Sequence, residues 1–101
     1  MLSPTKHSLK KVETLAGELG YTVRYEKGNF QSGYALVESR RIAIINKFYD
    51  TEGRLNCLYD ILSQYREPDD IKIGPPELSP VSSKLWKKLR PFLGVSREEE
   101  E

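Results

Sequence analysis

Two neighbouring stretches of this chain are apolar at consecutive positions, Tyr34-Ala35-Leu36-Val37 and Ile42-Ala43-Ile44-Ile45. A strand shows successive side chains to opposite faces, so a run without alternation asks for cover on both sides of a sheet. One helix cannot provide it. These runs read as strands over Tyr34–Glu38 and Ile42–Asn46, flanking a short turn at Ser39-Arg40. Upstream, Tyr21 to Glu26 alternates with period two and reads as a half-buried strand with Tyr21, Val23 and Tyr25 facing inward. Lys27-Gly28-Asn29 and Ser32-Gly33 punctuate the loop around Phe30 that joins it to the next strand as a hairpin.

Helical periodicity brackets these strands. The first helix reads from Pro4 to Leu19, with Ser3 as cap, Pro4 in the first turn and Gly20 as stop; Leu9, Val12, Leu15, Ala16 and Leu19 share one face and His7 the opposite one. A second begins at Asp50, with Glu52 in the positive first turn. Its apolar face is Leu55, Leu58, Tyr59, Leu62 and Tyr65, with Ile61 beyond the margin, and it ends at Glu67-Pro68-Asp69-Asp70. Ile71 to Pro80 is a proline-rich connector. Ser79-Pro80 then opens a third helix with Val81, Leu85 and Leu89 on one face, Trp86 at its border and an end at or before Pro91.

The implied fold class is α+β: helix, three-stranded antiparallel meander, helix, Pro-rich connector, C-terminal helix. The first two helices are expected on one face of the sheet, and the third either covers the other face or leaves it to a second subunit. At 101 residues this is one domain over 1–97, followed by an acidic disordered tail at 98–101. Sixteen basic and fifteen acidic residues nearly cancel, which excludes a uniformly basic nucleic-acid binder. Removing the four terminal glutamates raises the net charge from +1 to +5, so the body of the chain is mildly basic. No apolar run is long enough to span a membrane, no signal peptide is evident, and the single Cys57 fits a reducing compartment, so the cytoplasm is expected.

Chemistry-bearing constellations are scarce. His7 is the only histidine and Cys57 the only cysteine, too few for a zinc set, and no spacing pairs them as nucleophile and base. Glu67, Asp69 and Asp70 have hard-cation ligand types without the glycine and closing glutamate of an EF-hand loop. Gly28 and Gly33 precede no helix N-terminus, so they cradle no phosphate. No metal, cofactor or catalytic residue is therefore expected, and the chain reads as a non-enzyme.

The stretch Gly33 to Gln64 resembles part of the ImmA/IrrE-type zinc metallopeptidases. In that family a hairpin ends in an apolar strand and an asparagine, which here match Ile42-Ala43-Ile44-Ile45-Asn46, and Leu58 and Leu62 match leucines of the following helix. Aligned on Asn46, the family's HExxH falls on Asp60-Ile61-Leu62-Ser63-Gln64. Both zinc histidines and the catalytic glutamate are absent, and isoleucine cannot act as a base. What the resemblance implies is a degenerate scaffold that retains at most a ligand site at Asp60 and Gln64. Tyr25-Glu26-Lys27-Gly28, Phe30, Ser32-Gly33 and Ile45-Asn46-Lys47, before a leucine-rich helix, also resemble small bacterial proteins of uncharacterised function. That likeness implies no activity.

The leading expectation is a non-catalytic protein-interaction module engaging a protein partner or a second copy of itself through Phe30, Tyr34, Phe48 and Tyr49, since aromatics dominate interface hot spots. The alternative is nucleic-acid or polyanion binding by the third helix, with Lys84, Lys87, Lys88 and Arg90 as a basic rim beside Trp86. No membrane partner is expected.

Overall fold

The computed structural model describes residues 2–28, 33–37, 41–65 and 77–93. The elements are helix α1 (Lys6–Glu18), strands β1 (Thr22–Glu26), β2 (Tyr34–Val37) and β3 (Ile42–Asn46), and helices α2 (Thr51–Ser63) and α3 (Pro80–Leu93). This is an α+β fold.

α1 begins two residues later than the Ser3-Pro4 pair suggests, because the Thr5 hydroxyl accepts from the Ser8 amide and so caps the helix. Its end is as expected. Gly20 has φ +100°, its amide donates to Gly17, and the Tyr21 amide reaches back to Ala16. Those two bonds are the Schellman pattern, which turns the chain directly into β1.

The sheet departs from an antiparallel meander. The strand order is β1-β3-β2, with β1 parallel and β2 antiparallel to β3. Gly28 and Gly33 therefore flank a crossover over the sheet end, not a hairpin. The physical reason lies in strand composition. β3 is the most apolar strand and gains most from neighbours on both sides, whereas β1 carries Arg24 and Glu26 and tolerates an edge. The Ser39-Arg40 turn lies outside the described residues, but the antiparallel pairing of β2 with β3 accords with it.

Register sorts the side chains. Val23, Tyr25, Ala43, Ile45, Tyr34 and Leu36 face one side, where Ala43 and Ile45 are fully buried and the others pack around them. α1 and α2 cover that side: Val12, Leu15 and Ala16 of α1 join Leu55, Leu58, Ile61 and Leu62 of α2 in one core. Ile61, expected beyond the margin of α2's apolar face, lies inside it, and Cys57 is buried with it. α3 packs on α1 and α2.

α3 also differs from its predicted face and end. Ser82, Leu85, Trp86 and Leu89 point inward, while Val81 is 63% exposed. Trp86 meets Tyr65 edge-on at 5.8 Å, so it belongs to the core. The helix runs through Pro91 to Leu93, because a proline in the last turn removes only one backbone hydrogen bond. Ser79 does cap α3 as expected, accepting from the Ser82 amide.

Candidate functional site

Asp60 and Gln64 lie one turn apart on the solvent side of α2, the placement their spacing implies. Tyr34, reaching across from β2, bridges them. Its hydroxyl donates to Asp60 Oδ2 at 2.7 Å and accepts from Gln64 Nε2 at 2.9 Å, while Gln64 also donates to the Asp60 carbonyl at 3.3 Å. Burial raises the Tyr34 pKa, and the Asp60 carboxylate adds to the rise by accepting the phenolic proton. The phenol therefore stays protonated and acts as a fixed bridge. Cys57, one turn before Ile61, is buried, and desolvation followed by the Asp60 charge raises its pKa. It is held as a thiol and is a poor nucleophile.

The structure thus joins residues that the sequence assigns to two different surfaces. Tyr34 leaves the expected aromatic contact patch, because its register places it on the inner side of the sheet opposite Ile45. Phe30 lies outside the described residues. Tyr49 is 38% exposed, yet its ring lies over Gly33, where a β-carbon would overlap it. Phe48 alone stands free of the core, at 67% exposure.

The turn that displays Phe48 is tightly held. Asn46 Oδ1 accepts the Phe48 amide at 3.0 Å, and Asp50 caps α2 through the Gly53 amide at 2.8 Å. Arg54 binds the turn from inside, with Nε on the Tyr49 carbonyl at 3.0 Å and its second guanidinium nitrogen on the Lys47 carbonyl at 2.7 Å. The same guanidinium sits 4.5 Å from the centre of the Tyr25 ring, whose hydroxyl donates to Glu13. Sequence reading misses Arg54. The only signal for it is its place four residues after the cap Asp50, from which a side chain can reach back over the turn.

The second face of the sheet carries Ala35 and Val37 of β2, Ile42 and Ile44 of β3, and Thr22, Arg24 and Glu26 of β1. Among the described residues no helix packs on it, and none of its apolar side chains joins the core. α3 does not cover this face, since it packs on α1 and α2. Arg24 and Glu26 pair at 2.8 Å along its polar edge.

On α3, Lys84, Lys87 and Lys88 are exposed, whereas Arg90 is half-buried with its guanidinium 5.7 Å from the Trp86 ring centre. Burial of Trp86 removes it as a stacking platform for bases, correcting its place in the polyanion-binding set. Among the described residues, no three His, Cys, Asp or Glu side chains group as a metal site, and no helix is long and apolar enough to cross a membrane. The clusters at Glu67–Asp70 and 98–101 lie outside the described residues. Compared with known proteins, the chain matches no family model, no curated protein and no solved structure.

Proposed function

We propose that this chain is a non-catalytic protein-interaction module whose open sheet face takes a protein surface, a second copy of the chain being the partner to test first. The observation that carries the reading is the apolar strip Ala35, Val37, Ile42 and Ile44, on which no helix packs among the described residues, while the apolar side chains of the opposite face join the core or pack against it. Phe48, held out on a fixed turn, adds an aromatic anchor whose ordering cost is already met in the free protein. The polar edge is self-complementary, because a twofold axis can set Arg24 of one copy against Glu26 of the other.

Magnitude decides what kind of association to expect. Three strands of this length span roughly 14 by 17 Å, about 240 Å² in projection. Stable complexes bury about 800 Å² per partner, so pairing through this face alone is weak and concentration-dependent. The Tyr34 bridge argues against the degenerate-peptidase alternative, since it fills the space between Asp60 and Gln64. The reading places the module in the cytoplasm, where Cys57 stays a thiol.

Sedimentation from micromolar to millimolar concentration, with amide shifts followed by NMR, tests it. The expected result is a monomer–dimer equilibrium with shifts centred on Ala35, Val37, Ile42 and Ile44, abolished by Val37→Lys at unchanged thermal stability in dilute solution. A monomer at every concentration, with no shift at those residues, overturns it.

A further inference from the structure

Away from the sheet, a cavity of about 160 Å³ opens where the start of α3 meets α1. We infer that this cavity is a binding site for a phosphoryl group, held by His7, Lys10 and Lys11. The three lie at positions i, i+3 and i+4 of α1, hence on one side of the helix, and Thr14 continues their row by one turn. Ser79 and Ser82 close the opposite wall.

Charge makes the case specific to an anion. α1 has two carboxylates: Glu13 accepts the Tyr25 hydroxyl, and Glu18 stands behind the serine wall, accepting the Ser79 amide at 2.6 Å and the Ser79 and Ser82 hydroxyls at 2.9 Å. Neither lines the cavity. α3 contains no acidic residue, and Lys84 and Lys88 continue from Val81 along one side of that helix. Lys10 and Lys11, with the His7 imidazole beside them and no carboxylate lining the recess, give its α1 side a positive potential. Because Glu18 already takes the protons of Ser79 and Ser82, the anion's donors are the α1 side chains and the Thr14 hydroxyl. The recess has room for several waters, and so for the five heavy atoms of a phosphate. The group can come from a small phosphate compound or from a polynucleotide backbone. A recess of this volume takes a single phosphate and so favours the former, since a backbone needs a continuous track.

Titrating the full chain with inorganic phosphate at constant ionic strength, followed by amide shifts, tests the site. Saturable shifts at residues 7–14 and 79–83 are expected, with affinity falling about tenfold in Lys10→Gln/Lys11→Gln and unchanged in Lys87→Gln. Shifts that do not saturate, or that chloride reproduces, overturn the proposal. A labelled single-stranded oligonucleotide separates the sources. Weaker binding than phosphate, competed off by phosphate, assigns the recess to small compounds, whereas tighter binding lost in Lys10→Gln/Lys11→Gln assigns it to a polynucleotide phosphate. Oligonucleotide binding lost only on replacing Lys84, Lys87 and Lys88, with no phosphate response, overturns it in favour of the outer face of α3.

Discussion

Gly33 carries two constraints at once. Its φ of +85° lies in the region that costs a residue with a β-carbon about 1–2 kcal/mol, and such a carbon would run into the ring of Tyr49. Adding a steric overlap of about 1–3 kcal/mol, Gly33→Ala is expected to destabilise by about 2–5 kcal/mol, read as a lower urea midpoint at unchanged slope. In a Tyr49→Ala background the overlap vanishes and only the backbone cost remains. A Gly33→Ala penalty identical in both backgrounds would show that the ring is not what Gly33 accommodates. The sequence marks Gly33 as a turn residue, but it cannot name Tyr49 as the reason, since the contact spans sixteen positions of chain. The same holds at the Tyr34 bridge. Asp60 and Gln64 are legible as a pair because they share one helix, whereas Tyr34 joins them only through the tertiary packing of β2 beside α2.

At the scale of elements, local signals prove sufficient for where α2 and α3 begin, miss the start of α1 by two residues, and are insufficient for what each element pairs with. The caps at Asp50 and Ser79 and the stop at Gly20 are short-range chemistry, and they are where the sequence puts them. Strand order depends on which strand best fills the middle of the sheet, a comparison no single segment contains. The docking of α3 is likewise non-local. Glu18, at the end of α1, accepts three hydrogen bonds from Ser79 and Ser82 and so ties the start of α3 to α1 across more than sixty residues. The Ser79 amide bond, then the Ser79 and Ser82 hydroxyls, lower the Glu18 pKa from its ordinary 4.5, with slight desolvation opposing. A carboxyl whose pKa is depressed on folding adds stability above its unfolded pKa and loses it as pH falls through the lower folded value. The docking is therefore complete at neutral pH and weakens below about pH 4.5. In Glu18→Gln, the urea midpoint is expected to be lower at pH 7 and to fall less on acidification than in the unmodified chain. Trp86 emission is the natural readout, because that side chain sits where α3 meets Tyr65. Parallel pH profiles for the two proteins would remove Glu18 from the account.

The whole molecule is lopsided: one side of the sheet is core, and the other is closed by no helix among the described residues. Two adjacent residues of β3 test this directly, because neighbours on a strand point to opposite faces. Ile45 is fully buried under α1 and α2, opposite Tyr34, while Ile44 lies on the other face, between Arg24 and Ala35, and is half-buried. The chemistry of truncation is identical at both positions, so any difference in cost reports only the surroundings. Ile45→Ala leaves a cavity in the core and is expected to cost about 2–5 kcal/mol. Ile44→Ala opens no enclosed space and loses only partly shielded methyl groups, so about 1 kcal/mol is expected in dilute solution. Association changes that balance. If the outer face pairs with a second copy, Ile44→Ala costs more as protein concentration rises, because it weakens the dimer that stabilises the fold by mass action, while the cost of Ile45→Ala is already large in the monomer. Denaturation midpoints of the unmodified chain and both variants, taken at low and high protein concentration, separate the two effects. Equal costs for Ile44 and Ile45 even at the lowest concentration would mean that something within the chain already covers the outer face, and the interaction reading would lose the surface on which it stands.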